Sequence, residues 1–188
     1  MSDALDEGLV QRIDARGTIQ WSGTCARYTG ARRDPLSGGE GGHADSAAGG
    51  TRRCCSQRSI WPIPRKRAWL KWNAPRRRHQ RPPEKLLEAS YRLHTIEATD
   101  LSVLDLTTPE AREAVGLEDD DIHGDDWSAC QAVGHAAWFL HVQGVLVPAA
   151  GGVGLVITAY EQRTRPGQLQ VTRSEHLTPA RYRELRQL

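Results

Sequence analysis

Seven histidines and four cysteines are the side chains of this 188-residue chain that could ligate a metal or attack a substrate, and their spacing favours neither. Cys25, Cys54, Cys55 and Cys130 contain no C-x-x-C pair, and the adjacent Cys54 and Cys55 could bridge only with strain, so free thiols are expected. No H-E-x-x-H pattern occurs, and His135 and His141 are badly spaced for one helix face, so packed or solvated histidines are expected and no metal site. The strongest chemical cluster is cationic and aromatic. Between Gly39 and Pro82 eleven Arg/Lys stand against two acids, Glu40 and Asp45, giving about +9 where the rest of the chain sums to about −7. Arg52-Arg53, Arg65-Lys66-Arg67 and the basic run from Arg76 to Arg81 interleave with Trp61, Trp69 and Trp72. Guanidinium groups on phosphate and indoles on bases are how single-stranded nucleic acid is held, so binding of nucleic acid through residues 50–82 is one reading. No recognisable binding fold frames these residues, which counts against it.

The elements that would position any site lie on either side of this stretch. An amphipathic helix with Leu5, Leu9, Val10 and Ile13 on one stripe is predicted from a cap at Ser2 to near Arg16-Gly17. A strand follows over Trp21 to Thr29. Residues 39–82 offer only Ile60, Ile63 and Leu70 as strong aliphatics, too little apolar surface to offset the entropy of ordering them, so a low-order segment is predicted there. A short helix is predicted at Pro83 to Leu87, then strands at Tyr91 to Ala98 and Val103 to Leu106. Thr108-Pro109-Glu110 supplies a cap, a proline at the first helical position and an acid in the first turn of a helix reaching Gly116. After Asp126 a longer helix is expected to turn Trp127, Cys130, Ala132, Val133, Ala137 and Phe139 inward. Gln143 to Val147 and Val153 to Tyr160 read as buried strands, Gln168 to Thr172 as an edge strand, and Thr178-Pro179 as the start of a last helix. The pattern is mixed α+β. The N-terminus lacks the basic start and apolar centre of a signal peptide and no apolar run reaches a membrane span, so a cytoplasmic protein is expected.

Trp21-Ser-Gly-Thr-Cys-Ala-Arg27-Tyr-Thr followed by Asp34-Pro35-Leu36-Ser37-Gly38 resembles the opening of RES-domain proteins. Val103-Leu-Asp-Leu-Thr107, Gly124-Asp-Asp-Trp-Ser-Ala-Cys-Gln131 and Gly144-Val-Leu-Val-Pro148 resemble that family's second half in the same order. The resemblance covers residues 21–38 and 83–165 as a split domain, preceded by the helix within 1–20 and followed by an extension over 166–188. It implies an ADP-ribosyltransferase-like fold and, in active members, a toxin that destroys NAD+ as substrate, with no further cofactor, and is silenced by a helix-turn-helix antitoxin. Of the arginine, glutamate and serine for which the family is named, Arg27 matches the arginine and would hold the NAD+ phosphates or ribose. The serine belongs in a Pro-Ser-Ala turn, where this chain has Pro148-Ala149-Ala150. The glutamate and a Gly-Gly-Arg-Trp-Asn-Pro motif should fall within 39–82, and neither is present.

Arginine outnumbers lysine 22 to 3, which suggests GC-rich coding. With GC-rich codons, Ser46 to Ser56 read one step out of frame permits Gly-Gly-Arg-Trp-Asn-Pro-Pro-Leu-Leu-Phe, the missing motif. The same offset through Ile60 to Pro82 permits a helical text that includes a glutamate. Residues 39–82 are therefore expected to be out-of-frame translation inside a RES-like gene, with a natural basic insertion as the alternative. Cleavage of a nicotinamide–ribose bond builds positive charge on the ribose, as in other glycosidic cleavages, and needs a carboxylate beside it. Without glutamate and serine, little or no NAD+ degradation is expected; an inactive module that still binds an antitoxin is a further alternative.

Overall fold

The computed structural model describes residues 6–36, 57–62, 90–123, 126–149 and 154–180, with the backbone alone for 57–62. Helix α1 (Glu7–Arg16) opens it. Its cap is Asp6, whose carboxylate accepts from the Leu9 amide at 3.1 Å; the predicted cap, Ser2, lies outside the described residues. Gly17, at φ 70°, ends the helix in a conformation that L side chains rarely adopt. The chain then enters β1 (Ile19–Gly30), two residues earlier than predicted.

β2 (Gln57–Pro62) pairs with β1 at Cys25–Pro62 and Ala26–Trp61, and with β5 (Leu155–Tyr160) over Gln57–Ile60. These six residues depart from the low-order segment expected over 39–82; the remainder of that segment, and the helix predicted at Pro83 to Leu87, lie outside the described residues. Ladder hydrogen bonds use the backbone alone, so a strand can form within a segment poor in aliphatic side chains.

The two strands predicted at Tyr91 to Ala98 and Val103 to Leu106 are one, β3 (Tyr91–Asp105). Thr99-Asp100 looks like a turn but is a kink within the strand: Asp100 takes a left-handed φ of 54°, and its amide is caught by the Ser22 hydroxyl at 2.8 Å. The kink shifts the alternation by one, so Ile96 and Ala98 before it and Leu101 and Val103 after it serve the same core. Three helices follow, α2 (Pro109–Ala114), α3 (Asp119–His123) and α4 (Ser128–Phe139). The Thr108 cap and Pro109 start are as the sequence predicts. The chain closes with β4 (Gly144–Pro148), β5 and β6 (Leu169–His176), and Pro179-Ala180 begin a helical turn.

Strand order is β1-β2-β5-β4-β3-β6, and β1 also pairs with β3. Five strands thus form a ring of pairings, with β6 added outside it on β3. All pairs are antiparallel except β3–β4. One side of the sheet packs Leu104, Val145 and Tyr160 against Leu9 and Ile13 of α1 and Val133, Ala136 and Ala137 of α4. The Tyr160 hydroxyl donates to the Gly134 carbonyl at 2.6 Å and so ties β5 to α4. Phe139 does not turn inward as predicted. It is 53% exposed, on the same stripe of α4 as Ala132 two turns earlier, which is also exposed and does not turn inward either. The other side gathers Cys25, Ile96, Leu101, Val103, Leu146, Ile157 and Ala159, with Leu36 packed against them. The fold is the mixed α+β type that the alternation of elements implied. No helix among the described residues is long and apolar enough to cross a membrane.

Candidate functional site

Arg27 lies on β1, half-buried, on the same side of the strand as Cys25 and Thr29 and directly opposite His94 of β3. Its Nη1 donates to the Pro35 carbonyl at 3.0 Å. The turn that carries Pro35 folds back over β1 because several local bonds hold it. The Ala31 amide donates to the Ser90 carbonyl at 2.8 Å and the Arg33 amide to the Gly30 carbonyl at 2.9 Å. Asp34 receives the Leu36 amide at 2.8 Å, and Leu36 reaches the core. A shallow open depression lined by Gly30, Ala31, Arg32, Arg33 and Ser90 lies beside this turn. The Asp34-Pro35-Leu36 stretch therefore shapes the surroundings of the arginine as well as following it in sequence.

His94 is 3% exposed and bonded at both ring nitrogens. Nε2 lies 3.0 Å from the Thr29 hydroxyl and Nδ1 lies 2.8 Å from that of Ser174 on β6. Thr29 Oγ1 in turn reaches the Arg33 carbonyl at 3.4 Å, a long bond but one in which only the hydroxyl can donate. With its proton so directed, Thr29 accepts from Nε2–H, and Ser174 donates to Nδ1. Burial, reinforced by the Arg92 and Arg27 cations, pushes the His94 pKa below its ordinary 6.5, with Asp34 opposing, so the ring is neutral near pH 7. Histidine counting in the sequence passed over this residue. Its signal was a polar position on the inward side of a strand, facing threonine and arginine on the next.

No family model matches the chain. It is 66% identical to the NAD(+) phosphorylase MbcT of Mycobacterium bovis and of Mycobacterium tuberculosis, over 203 aligned positions covering 99% of this chain and 99% of each relative. This chain belongs to the MbcT family. The crystal structure of the M. tuberculosis MbcT–MbcA toxin–antitoxin complex superposes with a TM-score of 0.88 at 63% identity, covering 98% of this chain and 100% of that one. The ring of strands with its two-sided core is thus the fold of an MbcT relative.

Within this member of the MbcT family the strands that carry the two site positions named from sequence do not pair with each other, though both pair with β3. Ala149 follows β4, buried at 5% exposure, and its amide donates to the Gly154 carbonyl at 2.8 Å. β4 is flanked by β3 and β5, whereas β1, which carries Arg27, is flanked by β2 and β3. The Ala149 methyl offers no hydrogen bond to a substrate. Where a glutamate would be sought, in 39–82, only the β2 backbone is described.

Cys25 is fully buried, and desolvation first, then the Glu97 carboxylate, pushes its thiol up to about 12. Cys130 is raised by burial and by Asp121, whose carbonyl accepts from its Sγ at 3.3 Å. Both are free thiols, while Cys54 and Cys55 lie outside the described residues. His135 stacks on Trp138 at 6.5 Å within α4, and His141 turns at φ 60° just beyond the helix. Among the described residues no three His, Cys, Asp or Glu side chains gather as a metal site would require.

Proposed function

We propose that this chain is an NAD+-site protein of a toxin–antitoxin pair, of the RES type, in which the catalytic carboxylate has been lost. The observation that carries the reading is the 66% identity to an NAD(+) phosphorylase across 99% of both chains. Phosphorolysis of NAD+ breaks the bond between nicotinamide nitrogen and ribose C1′, forms a bond from phosphate oxygen to C1′, and releases nicotinamide with the bonding pair. Arg27 would hold phosphate oxygens by forked hydrogen bonds, a role suited to a half-buried guanidinium beside a neutral histidine. The growing ribose charge would need an anion, and residues 39–82 carry only Glu40 and Asp45 among eleven cations.

An out-of-frame origin of residues 39–82 is part of this reading and rests on the offset text that their codons permit. Strand β2 fits this account because a ladder accepts altered side chains, whereas a catalytic carboxylate does not survive them. An antitoxin partner, as MbcT has in the MbcT–MbcA complex, would bind whether or not chemistry remained. Pairing of Gln57–Pro62 on both edges speaks against a free nucleic-acid-binding arm over 50–82.

The test is nicotinamide release from NAD+ and phosphate by three proteins: this chain, a version with the offset text restored over 39–82, and the restored version with Arg27→Ala. Silence of the first, activity of the second and loss in the third are expected; adding Ala149→Ser to the restored version reads what a hydroxyl there contributes. Turnover by the first protein, or activity of the restored version that survives Arg27→Ala, would overturn the proposal.

A further inference from the structure

We propose that His94 is a positioning residue for Arg27, acting through Thr29 and the 31–36 turn; the functional weight of this rests on the NAD+ reading above, but its structural content does not. Three hydrogen bonds run in one direction from β6 to the turn, and a fourth runs into the turn from the arginine. Ser174 donates to His94 Nδ1 at 2.8 Å, His94 Nε2–H to Thr29 at 3.0 Å, Thr29 to the Arg33 carbonyl at 3.4 Å, and Arg27 Nη1 to the Pro35 carbonyl at 3.0 Å. The turn therefore lies between two anchors, one a buried neutral ring and the other the guanidinium itself. The Thr29–Arg33 contact is the weakest link and the point where the chain can be cut without touching His94.

A neutral ring suits this task better than a charged one. His94 stands across the ladder from Arg27, with Arg92 also on its side and Asp34 opposing these cations. A second cation here would repel the guanidinium, whereas a neutral imidazole fixes the turn by direction alone. Arg27 is thereby offered to a ligand from a preset position, and less ordering is needed when the ligand binds.

The experiment uses the full chain, labelled with ¹⁵N, and follows the Arg27 Nε–Hε resonance, assigned by its loss in Arg27→Lys, with amide exchange in the turn. In Thr29→Val and His94→Leu, exchange at Ala31 and Arg33 is expected to quicken about fivefold to tenfold, the factor carried by one hydrogen bond. Exchange at Val147 and Thr158 should stay unchanged, and the Arg27 resonance should shift. His94→Gln, which keeps a donor and an acceptor, should restore much of both. If His94→Leu does not fold, Thr29→Val decides by itself. A turn that exchanges as in the unaltered chain, or a quickening spread evenly over β4 and β5, would overturn the inference. Titration with NAD+ forms a separate arm: affinity lowered by His94→Leu in the presence of Arg27, and not in an Arg27→Ala background, supports the link to function. Absence of NAD+ binding by the unaltered chain would refute the functional reading while the exchange data still judge the positioning.

Discussion

Gly144 is the position where a single methyl group tests the ring of strands. It opens β4, paired with Val103 of β3 on one edge and Ala159 of β5 on the other. A Cβ there would sit 2.7 Å from the Thr158 carbonyl oxygen and 3.3 Å from the Ala159 Cα, both backbone atoms. Relief to an ordinary contact near 3.4 Å requires β4 and β5 to part by about 0.7 Å where they are held by a ladder, and neither strand has a flexible side chain to yield instead. Overpacking of this kind costs about 1–3 kcal/mol, offset by the ~0.5–1 kcal/mol that alanine gains over glycine in the unfolded chain. A net loss near 1–2 kcal/mol is expected, which at this size lowers the melting temperature by roughly 2–8 °C. Gly30→Ala is the control, because no atom lies within 4 Å of its Cβ position. Thermal and urea unfolding of both variants make the comparison. A Gly144→Ala protein as stable as Gly30→Ala would refute the close approach of β4 and β5.

Tyr160→Phe removes a buried hydroxyl whose acceptor, the Gly134 carbonyl, still has its own helical amide partner available, so a loss of about 1 kcal/mol is expected in urea unfolding and not the larger penalty of an orphaned group. His94 is held neutral in the fold, so the unfolded chain binds the extra proton first: its contribution to stability is constant above the ordinary value of 6.5 and falls as pH drops below it. Melting curves from pH 7.5 to 5.5 should show the decline, weakened in His94→Gln; a flat profile would count against the buried neutral ring. Cys25 should resist alkylation in the native protein and react only on unfolding, as site-resolved mass spectrometry can show; rapid native labelling would contradict its burial and raised pKa.

Local rules were legible where one side chain settles the matter. Thr108-Pro109-Glu110 marked the start of α2, and the apolar runs of β4 and β5 marked buried strands. They failed where distant groups decide. Thr99-Asp100 looks like a turn until Ser22, far away in sequence, is seen to hold the Asp100 amide in a strand. Ala132 and Phe139 are apolar and read as part of an inward face, yet both lie on the exposed stripe of α4, because the sheet takes Val133, Ala136 and Ala137. His94 could be found only once β1 and β6 stood on either side of β3.

Composition by itself determined that a basic interior, 39–82, interrupts the chain, with Glu40 and Asp45 as its two acids. These are properties of residue identity, and no folding alters them. Tertiary structure alone decided that Gln57–Pro62 closes the ring between β1 and β5 and that Arg27 answers to a turn held by a neutral histidine. Both depend on pairing between segments far apart in the chain, where backbone groups that are the same at every residue choose their partners by geometry.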